Sequence, residues 1–157
     1  MTLSHVNKAG KASMVDVSGK DLTERIASAR VRVKMNREAF EAVSENKIKK
    51  GDVLAVANIA GINAAKKTSE LIPLTHQINL RHVNIDFVLN RESSEIEITS
   101  EVKANDKTGV EMEALTAASV SALTIYDMCK SIDRRIEIND LRVIFKSGGK
   151  SGKFENE

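Results

Sequence analysis

Four segments of the chain alternate apolar residues with charged or polar ones, and this pattern limits the possible folds more than any other feature. Residues 30–35 read RVRVKM, residues 82–89 read HVNIDFVL, and the same period returns at two later places. A period of two places apolar side chains on one face of a β-strand. The alternating apolar residues are Val31, Val33, Met35, Val83, Ile85, Phe87, Leu89, Ile96, Ile98, Val102, Leu141, Val143 and Phe145. The pattern predicts four half-buried strands.

Three segments with helical spacing separate these strands, at about residues 37–45, 51–70 and 110–132. Pro73, the only proline, is expected to end the second helix and fix a turn before the next strand. The order is strand, two helices, two strands, helix, strand. This order predicts an α+β fold, a ferredoxin-like antiparallel sheet with helices packed on one face.

Length and composition favour one domain over residues 1–157, with 41% hydrophobic residues to form its core. We expect residues 1–12 and 146–157 to be flexible. Cys129 is the only cysteine, so neither an internal disulfide nor a cysteine zinc site is expected, and a reducing compartment fits.

Charge and hydropathy argue against two classes of partner. Lys and Arg number 24 against 22 for Asp and Glu, too even a balance for nucleic-acid binding by bulk charge, and an aromatic content of 3% disfavours RNA stacking. No apolar run approaches the roughly 18 residues of a membrane span, and the N-terminus lacks a signal-peptide core. We therefore expect a cytoplasmic protein that binds neither nucleic acid nor membrane.

Three polar stretches lie where loops meet regular elements, the places where functional groups are commonly held. KKGDV at 49–53 places Lys50 before a helix, LIPLTHQ at 71–77 places His76 after the proline turn, and NDKTGVEME at 105–113 precedes the long helix. A histidine in such a loop is more often a simple hydrogen-bonded side chain than a ligand. No histidine has metal-ligand spacing, so no metal site is predicted.

The stretch FKSGGKSGKF at 145–154 combines glycines with lysines. This composition suits a phosphorylated ligand, because glycine admits close backbone approach and lysine supplies charge. It is also typical of a solvated tail. It is not a P-loop, because Ile144 stands where that motif needs its first glycine.

The long helix ends with Asp127 and Lys130 on one face. Their spacing of three fits a surface ion pair as well as a catalytic acid and base. Glu111 and Glu113 lie in its first turn, where the helix dipole favours acidic residues without any catalytic role.

Four stretches in the same order along the chain resemble the cyclic pyranopterin monophosphate synthase family of molybdenum cofactor biosynthesis. They are MVDVSGK at 14–20, KGDVLAVANIAGINAAKKTSELIPLTH at 50–76, KTGVEMEALTAASVSALTIYDMCKSI at 107–132 and KSGGKSG at 146–152. The resemblance implies a lyase that rearranges 3′,8-cyclo-7,8-dihydroguanosine 5′-triphosphate into cyclic pyranopterin monophosphate and releases pyrophosphate.

The resemblance also implies a ferredoxin-like fold and a homohexamer, a trimer of dimers with its active sites at the dimer interface. The partner expected beyond other copies is the small-molecule nucleotide substrate. The chemistry requires no redox cofactor, and Mg²⁺ on the leaving pyrophosphate is compatible with it.

Site residues follow from the matched motifs. The expected catalytic residues are Asp127, Lys130, Lys50 and His76. The residues expected to bind substrate are Leu74, Thr75, His76, Met112, Glu113, Lys146 and Lys150. Asp127 with Lys130 suits paired acid and base work, and the other lysines suit phosphate. The C-terminal glycine segment is then expected to cover the triphosphate.

The chain departs from the usual family pattern at three positions. Thr75 and Gln77 replace a cysteine and a proline around His76, and Asn58 replaces an arginine. Two alternatives therefore stay open: a paralogue that binds a nucleotide or phosphate without turning it over, and a structural or interaction protein of the same fold class.

Overall fold

The alternating segments form one antiparallel sheet, and two long helices cover one of its faces. We describe residues 5–7 and 9–156, as placed in a computed structural model. The elements are β1 (Thr23–Lys34), α1 (Arg37–Ser44), α2 (Val53–Lys66), α3 (Thr68–Leu71), β2 (Leu80–Asn90), β3 (Glu95–Asp106), α4 (Glu111–Cys129), β4 (Glu137–Ser147) and β5 (Phe154–Glu155). The strand order β2-β3-β1-β4-β5 is ferredoxin-like with one added edge strand, so the predicted α+β fold is confirmed.

The core lies between the helices and the inner face of the sheet. Helix α4 packs on β1, β3 and β4, and α2 packs on β2 and along α4. Val31, Val33, Ile96, Ile98 and Val102 are fully buried, as their alternation predicted. Helix α1 contributes Phe40 and Val43 to the same core.

Element boundaries differ from the prediction where small or polar residues carry the pattern. Strand β1 begins at Thr23 rather than at residue 30, because Ala27 and Ala29 continue its buried face with little apolar bulk. The predicted helix 51–70 is two helices, because the Thr68 hydroxyl donates to the carbonyls of Ala64 and Ala65 and ends the first. Pro73 lies in the turn after α3, as predicted.

Strand β4 carries one correction. Leu141 was expected on a half-buried face, but 46% of its surface is exposed. The register between β1 and β4 shifts beside it, and Asp140 has a left-handed backbone with φ of 60°. This bulge turns the side chain out of the alternating pattern.

The topology brings the predicted site segments to opposite ends of the sheet. The start of β1 pairs with the end of β3 and lies beside the end of β4, so the loop before α4 and the C-terminal glycine loop meet there. Helix α4 then runs back along the sheet, and its C-terminus lies towards the other end. Groups at the two ends of α4 are therefore held apart.

Two of the predictions concern domains and chain ends, and they stay predictions. The single domain over residues 1–157 is one of them. For the flexible segments, residues 1–4, 8 and 157 lie outside the described residues. Residues 146–156 form a hairpin in which Phe154–Glu155 pairs with β4 and the Asn156 amide donates to the Ile144 carbonyl at 2.9 Å. Among the described helices, none has the length and apolar character needed to cross a membrane.

The two long helices approach each other closely at Gly61. A Cβ atom there would meet the Ser121 hydroxyl, and it would lie 2.7 Å from Ile85 Cδ1 and 3.0 Å from the Ala117 carbonyl oxygen. The Ser121 hydroxyl cannot yield freely, because it donates to the Ala57 carbonyl at 2.9 Å. The contact therefore requires glycine.

Gly61→Ala should lower the free energy of unfolding by about 1–3 kcal/mol, because the helices must separate to admit the methyl group. Urea unfolding followed by circular dichroism measures this change. Gly19→Ala is the matched control, since a Cβ at Gly19 would meet no atom within 4 Å. Equal stability of G61A and the parent protein would contradict the argument from close packing.

Candidate active site

The C-terminal end of α4 carries a cluster of one carboxylate and two lysines. Lys130 Nζ lies 2.6 Å from Asp127 Oδ1, and Lys50 Nζ lies 3.5 Å from Oδ2 and 2.8 Å from the Asp127 carbonyl oxygen. Lys50 reaches the helix end from the loop before α2, whose first turn Asp52 caps by accepting from the Ala55 amide at 3.0 Å. The structure thus brings together three of the four predicted catalytic residues.

Asp127 and Lys130 each stabilise the charged form of the other. The hydrogen bond and charge of Lys130, with the charge of Lys50, hold the pKa of Asp127 below its ordinary value. The same hydrogen bond and the Asp127 charge raise the pKa of Lys130. Asp127 is therefore a carboxylate near neutral pH and Lys130 an ammonium ion, one able to accept a proton and the other to donate one. The Asp127 side chain is 60% exposed, so the cluster is open to a ligand.

The N-terminal end of α4 borders a cavity of about 320 Å³. Its lining includes the predicted substrate-binding residues Leu74, Thr75, His76, Met112 and Glu113. His76 Nε2 lies 2.8 Å from the Val15 carbonyl oxygen, which can only accept, so this nitrogen carries the proton and donates it. The fourth predicted catalytic residue therefore lies in this cavity and away from Asp127.

Glu113 is the buried carboxyl group of this smaller cavity, with only 3% of its surface exposed. Burial raises its pKa to about 7, and the charge of Glu111 pushes it in the same direction. Asp127 and Glu113 are thus carboxyl groups on one helix with opposite tendencies, because one is exposed beside lysines and the other is desolvated.

A second cavity of about 520 Å³ adjoins the first and is rich in cations. Lys146 and Lys150, the predicted lysines of the glycine segment, both line it. Sequence reasoning did not assign a site role to three further cations that line it: Lys20, Arg25 and Lys107. These five cations face two acidic residues, Asp21 and Glu111. The balance favours an anion with several charges.

Arg25 shapes the wall of the larger cavity. Its side chain is nearly buried and donates to the carbonyls of Asp106 and Lys107, each at 3.1 Å. A Cβ atom at Gly149 would clash with its guanidinium group, and one at Gly148 would clash with the Glu24 carbonyl oxygen. Both glycines also have positive φ, so only glycine lets the C-terminal loop lie this close to β1. The sequence did not predict a site role for Arg25, because the first strand was expected to begin at residue 30 and begins at Thr23.

The two cavities form one cleft, since Lys20, Thr108, Gly109 and Glu111 line both. The Asp127 cluster is remote from this cleft. Asp127 and Glu113 are fourteen residues apart on one helix, which corresponds to about 21 Å. One copy of the chain therefore holds the predicted site in two separate parts.

The departures from the family pattern have different surroundings. Thr75 closes its turn locally, as its hydroxyl donates to the Ile72 carbonyl at 2.8 Å. Asn58 Oδ1 is buried and has no hydrogen-bond partner among the described residues.

Cys129 lies next to the Asp127 cluster in sequence but is fully buried, and burial raises its thiol pKa to about 11. Its sulfur is therefore a packed thiol and not a nucleophile.

Comparison with known proteins gives one consistent result. The MoaC family model matches residues 14–149. The chain is 53% identical to a cyclic pyranopterin monophosphate synthase of Peptoclostridium acidaminophilum, over 100% of this chain and 99% of that protein. It is 55% identical to the protein of the same name from Heliobacterium modesticaldum, over 99% of this chain and 98% of that protein. It is 54% identical to the protein of that name from Thermoanaerobacter sp., over 100% of this chain and 99% of that protein.

Glu113→Gln should remove a pH-dependent cost of burying a carboxylate. Because the folded-state pKa of about 7 lies above the ordinary 4.5, the folded protein retains its proton longer and loses stability as pH rises through this window. E113Q should therefore gain about 2–3 kcal/mol of unfolding free energy relative to the parent between pH 5 and pH 8.

Urea unfolding at several pH values measures this difference. Glu38→Gln, at an exposed first-turn position of α1, is the control and should show no such trend. A constant difference between E113Q and the parent across the window would show that Glu113 titrates like an exposed carboxyl group.

Proposed function

The chain belongs to the MoaC family, and from this premise we propose that it is a cyclic pyranopterin monophosphate synthase. The reaction rearranges 3′,8-cyclo-7,8-dihydroguanosine 5′-triphosphate into cyclic pyranopterin monophosphate and releases pyrophosphate. The observation that carries the proposal is the two-part cleft, in which a cation-rich cavity adjoins a smaller one with His76 and Glu113. A nucleotide triphosphate is divided in the same way, with a highly charged triphosphate that suits the cation-rich cavity and a ring system that suits the smaller one.

The cation-rich cavity is proposed to hold the triphosphate. Lys146, Lys150 and the previously unassigned Lys20 and Lys107 would neutralise the charge that moves onto the leaving pyrophosphate. The cyclic phosphate forms when a sugar hydroxyl attacks the innermost phosphorus and the bond to the bridging oxygen breaks. The hydroxyl proton must pass to a base during this step, while the cations stabilise the departing group.

Ring opening and reclosure require repeated proton transfers, for which the chain offers two kinds of group. Asp127 as carboxylate and Lys130 as ammonium can accept and donate a proton at adjacent positions. Glu113, with a pKa of about 7, and the imidazole of His76 can do so at the other end of α4. We propose that the substrate meets both sets.

Both sets can meet one substrate only if two copies of the chain share a site. The roughly 21 Å between Asp127 and Glu113 along α4 exceeds the reach of a single reacting ring. We therefore propose a dimer in which the cleft of one copy receives Lys50, Asp127 and Lys130 of the other, within a homohexamer of three such dimers. A two-fold axis would then create two equivalent sites per dimer.

We propose that the reaction needs no resident cofactor. Among residues 5–7 and 9–156, no three His, Cys, Asp or Glu side chains are grouped as metal ligands would be. Mg²⁺, if it takes part, would travel on the pyrophosphate oxygens. The protein is expected to act in the cytoplasm on this small nucleotide substrate.

Purified protein should convert the cyclised guanosine triphosphate into the pterin product with stoichiometric pyrophosphate. Asp127→Asn should lower kcat by at least about 100-fold, because it removes a proton acceptor while keeping the side-chain shape. An anaerobic assay with and without Mg²⁺ follows both products, and Glu38→Gln serves as the charge control. Binding without turnover in the parent protein would favour the non-catalytic paralogue.

Mixing two inactive variants should restore activity if two copies share each site. After subunit exchange between D127N and E113Q, half of the dimers are mixed and one of their two sites is intact, so about a quarter of parental activity should return. Mixing D127N with Lys130→Met is the matched control, since both changes fall in the same cluster and no intact site can form. Recovery in neither mixture would place the whole site within one chain.

A further inference from the structure

One of the lysines that line the cation-rich cavity already forms an ion pair with an acidic side chain of the same chain. Glu111 Oε1 lies 3.0 Å from Lys146 Nζ, and each side chain is only 30% exposed. The same ammonium group lies 3.3 Å from the Ser151 hydroxyl across the C-terminal hairpin. Lys146 is therefore engaged by two groups of the chain itself.

The Glu111 carboxyl group lies where the two cavities meet. Glu111 lines both of them, and its carboxyl group folds back over Gly109, where an added Cβ would clash with it. Glu111 also begins α4, whose N-cap residue Val110 supplies no side-chain cap. The carboxylate thus sits beside an ammonium group and a helix N-terminus, two features that attract phosphate.

We propose that the Glu111 carboxylate competes with ligand phosphate for the Lys146 ammonium group. Glu111 would thereby set how tightly the cavity binds anions. The inference rests on the proposed function and extends it. In the empty site the carboxylate neutralises Lys146, and a bound polyphosphate exchanges with it. A ligand phosphate at Lys146 and the Glu111 carboxylate cannot share the ammonium group without mutual repulsion.

Such competition favours ligands with several phosphates. A triphosphate can first bind Lys20, Lys107 or Lys150 and then displace Glu111 from Lys146 at a high effective concentration. A single phosphate gains only one contact for the same displacement. When the triphosphate is split, Glu111 can return to Lys146 and assist release of the products. The residue is thus proposed to select the substrate by charge and to limit product retention.

The test measures binding of inorganic triphosphate by isothermal titration calorimetry to four forms of the full chain: parent, Glu111→Gln, Lys146→Met and the double variant. The apparent dissociation constant of the parent is raised by the inverse of the fraction of time that Lys146 is free. E111Q should therefore bind about three- to fivefold more tightly than the parent, the effect of losing one partly buried ion pair. In the K146M background the same substitution should change affinity by less than about twofold.

Glu38→Gln is the matched control, because it removes the same charge from the first turn of a different helix. Thermal unfolding of each variant establishes that it is folded. Weaker or unchanged binding in E111Q would overturn the proposal, since Glu111 would then position Lys146 for the ligand. An equal gain in the K146M background would also overturn it, by reducing the effect to general repulsion. Failure of both parent and E111Q to bind triphosphate would exclude it as well.

The binding test does not depend on turnover. If the protein binds triphosphate with the expected pattern but yields no pterin, the proposed function fails and the role of Glu111 stands. If turnover is found, E111Q should also be inhibited by pyrophosphate at about three- to fivefold lower concentration than the parent. Unchanged pyrophosphate inhibition in an active E111Q would contradict the part of the proposal that concerns release.

Discussion

The burial of α4 against the central strands is the constraint on which the rest of the structure depends. Ala114, Ala117, Ala118 and Ala122 are fully buried, and such small side chains let the helix approach the sheet closely. The Ser100 hydroxyl donates to the Ala114 carbonyl at 2.7 Å and fixes the helix lengthwise against β3. Because the helix cannot shift without breaking these contacts, the candidate site residues at both of its ends are held at fixed places on the sheet.

Sequence periodicity predicted the order of the elements because burial on one face leaves a repeated trace in the residues. It failed where the trace was weak, as at the start of β1, where Arg25 and alanines replace branched apolar residues. Motif resemblance located Lys146 and Lys150 but could not show that Arg25 supports their loop, a contact that depends on the approach of β1 and β4. Nor could spacing show that Asp127 and the cleft are separated within one chain.

The site relies on contrasting environments for similar groups. Two carboxyl groups of α4 favour opposite protonation states, since Glu113 is enclosed and Asp127 lies in the open beside cations. A third carboxylate of the helix, Glu111, pairs with the Lys146 ammonium group. Similar carboxyl groups on one helix therefore differ because of their surroundings rather than their residue types.

The length of α4 has a consequence for how this chain can change over evolutionary time. Each added or deleted residue would rotate one end of the helix relative to the other by about 100° and move it by about 1.5 Å. Substitutions on its surface can accumulate singly, whereas a change of length would misdirect Glu111 and Glu113 relative to Asp127 in one step. The nineteen residues of α4 thus fix both the distance and the relative orientation of the side chains at its two ends. Insertions should therefore be confined to loops outside this helix.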